Sequence, residues 1–548
     1  PSAVEEGLPE EEVAGGKGTA EDPYILMTKD QLNNMRYEIA AQYRLGNDID
    51  LDEEEWEPVG NSSMPFSGTL DGNGYSINNL HINKGIADYV GLMAYTNNAD
   101  FRNIKIDGII VFGRNYVGAL VGYAKEINSF SNIYIGSGEI NATSYVGGLA
   151  GTIEGGNVEY SSTEVNIVAT SSYGGGLIGH SRADISKSIT FGNIAVTSNY
   201  AGGLVGYIAS NNIVAESCAT GDITGNAYIG GLVGRVYANG AKIENSFALG
   251  KVTGRGSNPY TGGLLGQVYS SSSAARVNVN NCYSVGIVNA TGTTAGGLIG
   301  QNNNTLITNS YFDSANAGFE LPLDQAKTTP DLLKMVVFRN WDFENIWEIE
   351  ENITYPYFIN LPMPSGVIVN HELVEVLEGD GTPENPYIIK DAIDISKMRF
   401  SMDSHYVLKN DIDLENILWR PIGVSTMPFR GELNGNGYSI KNLFINRPAA
   451  DNLGLFGYIV DGKIWNLTIE NANVTGRNNV GALVGYAKGN NQIMNVNIIS
   501  GEVNSNSYAG GLAGYVEQGF IEECSAKINI NTLNGRAGGL IGHSRSSV

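Results

Sequence analysis

Apolar and polar residues alternate along this chain in short runs, and Gly, Asn and Ser cut the runs every few residues. Alternation over four to eight positions predicts half-buried strands. One stretch shows the pattern: runs at 147–153, 158–165 and 166–170, with Gly155-Gly156-Asn157 as a corner. Helical spacing is confined to a few places. Leu32, Met35 and Ile39 share one helical face within 29–40, Thr28 is placed to cap that helix, and Ile395 and Met398 repeat the face. Thr329-Pro330-Asp331 predicts a second short helix, with Pro at a favoured first position.

The strand pattern repeats on two scales. On the longer one, MPFSGTLDGNGYSINNL (64–80) aligns without a gap to MPFRGELNGNGYSIKNL (427–443), with 13 of 17 residues identical and an offset of 363. Trp56 and Trp419, Asp48 and Asp411, Asp50 and Asp413, and the string GLIGHSR at 176 and 539 keep that offset. The expected organisation is therefore a first unit at 1–363, a linker at 364–380, and a second unit at 381–548 that stops in the middle of its pattern. The first unit is expected to carry a helical cap at 29–40 and an aromatic cap at 329–360, the latter built on Trp341, Phe343, Trp347, Tyr355 and Tyr357. The missing Met at Pro1 and the interrupted second unit are read as signs of an excised or truncated piece.

On the shorter scale, a Gly-Gly-Leu-x-Gly phrase recurs. Its Leu falls at 92, 120, 149, 177, 204, 232, 264 and 298, then at 455, 483, 512 and 540. A period near 28 with strand patterning predicts an all-β fold, a parallel β-helix or solenoid with one coil per repeat. Room exists for three strands per coil. The glycines are expected to turn corners at positive φ and to admit the next coil. A small-residue position (Ser188, Ser217, Ser246, Cys282, Ser310) is expected to form a buried ladder.

These phrases resemble the GLUG motif, named for Gly-Leu-any-Gly, through about 90–301 and 452–542. The resemblance implies a right-handed parallel β-helix. It also implies an extracellular or cell-surface bacterial setting, among adhesin-like proteins and the non-catalytic part of IgA-specific metalloendopeptidases. It carries over no catalytic residue.

Composition narrows the function classes. With 33 basic against 57 acidic residues the net charge is −24, which argues against nucleic acid or anionic lipid as partners. No apolar run reaches the roughly 18 residues of a membrane span. Three cysteines without metal-type spacing argue against a disulfide framework or a zinc site. A monomer is expected.

Candidate chemistry is sparse. Tyr precedes most of the Gly-Leu phrases, at Tyr116, Tyr145, Tyr173, Tyr200, Tyr228, Tyr260 and Tyr508; one aromatic per coil makes a ladder that either stacks sugar rings or holds corners together. Asp48 and Asp50, repeated as Asp411 and Asp413, fall on one side of a strand and are candidates for calcium, for glycan cleavage, or for turn hydrogen bonds. Asp71-Gly72-Asn73-Gly74 reads as a turn. His371-Glu372-Leu373-Val374-Glu375 lacks the second His of a zinc peptidase. His180-Ser181-Arg182 lacks the acid of a triad. The favoured reading is a non-enzymatic surface or secreted adhesin that binds a polymer, carbohydrate by preference, or a host-surface ligand. A polysaccharide lyase or hydrolase and a passive stalk are the alternatives.

Overall fold

The computed structural model describes residues 13–290, 294–318, 325–369, 377–416, 419–425, 428–448 and 450–545. The peptidase-like string at 371–375 lies outside them. The chain divides into two compact units, Pro1–Trp341 and Asp342–Val548.

The first unit is a parallel β-solenoid. A representative coil runs through five short strands: Gly156–Glu159, Ser162–Thr163, Asn166–Ala169, Gly174–Gly175 and Ile178–Ser181. Each pairs in parallel with its counterpart one coil on, and the stacks form sheets of 11, 11, 14 and 8 strands. The coil is therefore cut more finely than the three strands expected. Asn and Tyr residues at positive φ, such as Asn132, Tyr145 and Tyr160, interrupt each run after a few residues.

The longest apolar row lies in the first sheet, inside the coil. In the first sheet Tyr24, Tyr43, Leu70, Phe101, Phe130, Val158, Ile185, Val214, Ile243 and Val279 are in register and buried. The Leu of each Gly-Leu phrase forms another row: Leu149 N–H donates to the Leu177 carbonyl at 3.0 Å, and Leu177 N–H to that of Leu204 at 2.9 Å. Each of these leucines is buried, contributing about 2 kcal/mol.

The glycine preceding that Leu is required by close approach. A Cβ on Gly203 would be driven into the carbonyl oxygen of Gly231 in the next coil. Its φ is not positive, so the expected corner role is not its own. The serine ladder is also structural. Ser188 Oγ accepts from Ser161 N–H (3.3 Å) and donates to the Ser186 carbonyl (2.9 Å), and Ser217 repeats both bonds. Cys282 takes the same place, and burial pushes its thiol up to about 12.

At the start of the first unit an α-helix, Lys29–Asn33, and a 3-10 turn, Asn34–Arg36, bury Leu32 and Met35. The helical segment ends there because Gln42–Leu45 must pair with Tyr24–Leu26. At the other end Thr329–Leu332 is helical, with a capping box between Thr328 and Asp331. Trp341 packs on Phe338 and Tyr311, and its Nε1–H donates to the Asn309 carbonyl.

The second unit repeats the solenoid. Its first sheet has six successive strands: Tyr387–Ile389, His405–Leu408, Glu432–Asn434, Lys463–Glu470, Asn491–Ile498 and Gly519–Glu522. This unit also contains an antiparallel pair, Trp347–Glu348 with Tyr357–Phe358. The aromatic residues that read as one cap are thus shared: Trp341 belongs to the first unit, Trp347, Tyr355 and Tyr357 to the second.

Candidate functional site

The tyrosines preceding the Gly-Leu strand gather at one corner of the first unit. Tyr89, Tyr116, Tyr145, Tyr173, Tyr200 and Tyr228 all adopt left-handed φ, between 56° and 66°. A bulky side chain rarely adopts that conformation, which costs about 1–3 kcal/mol. The neighbouring coil fixes it. Tyr145 N–H donates to the Ser172 carbonyl, and the following Val146 N–H donates to the Tyr173 carbonyl. The last glycine of each Gly-Leu phrase makes room: a Cβ on Gly179 would lie 2.6 Å from Val146 N and 2.8 Å from the Tyr173 carbonyl oxygen.

The rings stack along the axis. Centroid separations are 5.1 Å for Tyr89–Tyr116, 4.7 Å for Tyr116–Tyr145, 4.3 Å for Tyr145–Tyr173, 4.6 Å for Tyr173–Tyr200, 5.0 Å for Tyr200–Tyr228 and 5.2 Å for Tyr228–Tyr260. A second column runs beside it: Tyr95, Tyr123, Thr152, His180, Tyr207, Arg235 and Gln267 are in register. The columns meet edge to face, as at Tyr116–Tyr123 (5.3 Å, 83°) and Tyr200–Tyr207 (5.2 Å, 74°). The Arg235 guanidinium caps the group, 4.9 Å from the Tyr228 ring and 4.8 Å from that of Tyr237.

The rings of both columns are half-buried. Their faces lie against one another. Burial raises the Tyr116 and Tyr173 phenols, and it raises that of Tyr123 together with the Glu154 carboxylate, which accepts from Tyr123 Oη at 3.1 Å. His180 stacks on Tyr207 at 5.4 Å, and burial lowers it to about 4. The corner half-buries this His. Ser181 points the other way into the core, so the two side chains are on opposite faces.

The aspartates are committed to coil-to-coil bonds. Asp48 Oδ1 accepts from Ser76 N–H (2.7 Å) and Ser76 Oγ (2.9 Å). Asp50 Oδ1 accepts from Asp52 N–H and Asn79 Nδ2, both at 2.8 Å, which hold its carboxyl below the usual range. Asp411 accepts from Ser439 N–H and pairs with Lys441 (3.0 Å), and Asp413 accepts from Asn442 Nδ2 and Glu415 N–H. Among the described residues no three His, Cys, Asp or Glu side chains come together as a metal-holding group. Asp71 closes the turn at Asn73, accepting its N–H at 2.9 Å.

The family model for the GLUG motif matches residues 225–253, the coil that holds Tyr228 and Arg235. The chain carries the GLUG motif. Over 599 aligned residues it is 33% identical to halomucin of Haloquadratum walsbyi, covering 94% of this chain and 6% of halomucin. Over 122 residues it is 40% identical to a provisionally named Gly-rich membrane protein of Evansella cellulosilytica, covering 21% of this chain and 14% of that protein. The chain thus spans a small part of either relative. Among solved structures, a provisionally assigned immunoglobulin A1 protease from Bacteroides ovatus aligns at 19% identity and TM-score 0.35, covering 63% of this chain and 94% of that one. An IgA1 protease aligns at 14% and 0.35, covering 62% and 25%.

The GLUG phrase explains what sequence reading overlooked. The second column is the residue three positions past the Leu of each phrase, directly after its last glycine except at the first, where Ala94 stands: Tyr95, Tyr123, His180, Tyr207 and Arg235. Its varied chemistry hid the column, although the spacing was available. Tyr260 and Tyr508 sit at the GLUG corner without left-handed φ. Tyr508 meets Tyr515 edge to face at 5.9 Å.

Proposed function

We propose that the chain is a non-enzymatic spacer segment of a cell-surface or extracellular protein, its GLUG solenoids holding other parts at a distance. The observation that carries this reading is the orientation of the tyrosines. Stacking on a sugar needs an open ring face, and here the faces are occupied by neighbouring rings at 4.3–5.2 Å. The names of the mucin and the membrane protein among its relatives support the location. The acids on the first coils serve coil-to-coil hydrogen bonds in this reading, and added calcium is expected to leave the melting temperature unchanged.

A second reading rests on the hydroxyls. The hydroxyls of Tyr116, Tyr145 and Tyr173 would form a polar row repeating at about 4.8 Å per coil, along which an extended glycan could hydrogen-bond. Co-sedimentation with insoluble polysaccharides, with assay of the supernatant for released sugar, separates the readings. The spacer predicts neither retention nor release. Retention abolished by Tyr→Phe along the row would establish the glycan reading instead. Released sugar would refute both.

A further inference from the structure

The tyrosine corner of the first unit is a continuous row of oxidisable rings. From Tyr89 to Tyr260 no two consecutive ring centroids are more than 5.2 Å apart. Tyr123 joins the row from the second column, 5.3 Å from Tyr116 and 4.9 Å from Tyr95. Electron exchange falls off exponentially with distance. A row this close therefore passes an electron from ring to ring far faster than one jump would cross its length. Oxidation by one electron also turns a phenol into a strong acid. Where the electron hole settles is decided by the local field and by what accepts that proton.

The row is uneven in both respects. The Arg235 guanidinium lies 5.8 Å from the Tyr200 ring, 5.8 Å from Tyr207 and 4.9 Å from Tyr228, and its Nη1 donates to Tyr200 Oη at 3.4 Å. A cation over a ring opposes removal of an electron from it. Further along, Tyr123 Oη donates to Glu154 Oε1 at 3.1 Å. Arg182 holds the other oxygen, Oε2, at 2.9 Å, which fixes the carboxylate and leaves the phenol its acceptor. Among the described residues, Tyr123 is the phenol of the two first-unit columns that donates to a carboxylate. The charge of Glu154 also acts on Tyr95 and Tyr116. The pair recurs at the offset of 363, where Tyr486 Oη donates to Glu517 at 3.1 Å beside Asn452 and Asn479. Both units keep the phenol–carboxylate bond, and the first adds a long row that leads to it.

We propose that the first-unit corner is a one-electron relay, in which a radical oxidant takes an electron from any ring of the row and the hole settles on Tyr123. The oxidant gains one electron. Each intervening ring gives an electron to the ring already oxidised and receives one from the next, so it ends unchanged. Tyr123 loses the last electron together with its hydroxyl proton, which passes to Glu154 Oε1. The O–H bond of Tyr123 breaks and an O–H bond forms on Glu154, leaving a neutral phenoxyl radical and a carboxylic acid. This activity is additional to the spacer role and does not depend on it.

The test uses the whole chain with a photo-oxidant fixed at the far end of the row. In a Cys524→Ser background, Tyr260→Cys carries a tris(bipyridine)ruthenium label, five coils or about 24 Å from Tyr116. Cys218 and Cys282 are buried and should stay unlabelled. Flash oxidation of the label, with hexaammineruthenium(III) as quencher, should produce a phenoxyl radical by transient absorption and electron paramagnetic resonance. That signal should be lost in Tyr123→Phe and shortened in lifetime in Glu154→Gln. Tyr173→Phe keeps a stacked ring but removes the oxidisable phenol, and should slow the appearance of the radical by more than an order of magnitude. A radical that forms at the original rate in Tyr173→Phe overturns the proposal. So does one that is unchanged in Tyr123→Phe or in Glu154→Gln, or return of the electron to ruthenium with no radical formed.

Discussion

At the corner before the Gly-Leu strand, the first unit places Tyr89 and Tyr116 where the second places Asn452 and Asn479. All four are left-handed, with φ of 62°, 59°, 57° and 53°. The backbone is therefore a property of the coil, set by coil-to-coil hydrogen bonds and by the glycine that faces the corner. Asn adopts this conformation at little cost, whereas Tyr does not. Something beyond the backbone must hold tyrosine there. An interior ring such as Tyr145 has two stacked partners and an edge-to-face contact with His180. At about 0.5–1.5 kcal/mol for each aromatic pair, these offset a strain of about 1–3 kcal/mol. The second unit keeps only the neighbouring column, whose Tyr458 and Tyr486 match Tyr95 and Tyr123, a pair stacked at 4.9 Å in the first unit. Tyr458, Tyr486, Tyr515 and His543 stack at 4.8, 4.6 and 4.8 Å on the neighbouring strand, where no left-handed φ is required. The column after the Gly-Leu phrase is common to both units, and the left-handed tyrosines of the first unit are an addition to it.

The largest effect should come from what both units share. Gly179→Ala and Gly514→Ala each set a methyl against the left-handed corner and should lose about 3 kcal/mol in urea unfolding. A clear difference between the two would mean that the corners are not equivalent. Next, Tyr145→Ala removes two stacks and leaves a left-handed alanine, for a loss of about 2 kcal/mol. Tyr145→Asn should recover about half of it, since Asn tolerates the backbone.

Of these features the repeat was the most legible. Twelve Gly-Leu phrases at regular spacing specify a solenoid, because strand alternation and a constant period allow little else. The tyrosine ladder was legible as a list of residues, but its geometry was not. Whether a ring faces solvent depends on φ at the corner, and sequence spacing carries no φ. Glycine looked like the residue for positive φ, yet the motif glycine serves close approach and the adjacent Tyr or Asn takes the strain.

The pH response should distinguish the columns. The free imidazole titrates near 6.5, and burial lowers His180 to about 4 in the folded chain. Its neutral form suits the fold, so stability is complete above about pH 6.5 and falls as pH drops toward 4. The loss should approach about 2 kcal/mol in the first unit and should vanish in His180→Gln. A smaller effect, about 1 kcal/mol, is expected for Asn452→Tyr, which adds strain beside another Asn. Adding Asn479→Tyr should restore stability by extending a stack to Tyr508.

The central claim is that the first-unit tyrosines are held by one another. The most direct measurement is the coupling free energy between Tyr145 and Tyr173, from a double-mutant cycle with leucine at each position. The account predicts a favourable coupling of about 1 kcal/mol. Coupling indistinguishable from zero, together with a gain in stability for Tyr145→Asn, would contradict it and return the ladder to the role of a strained, ligand-facing surface.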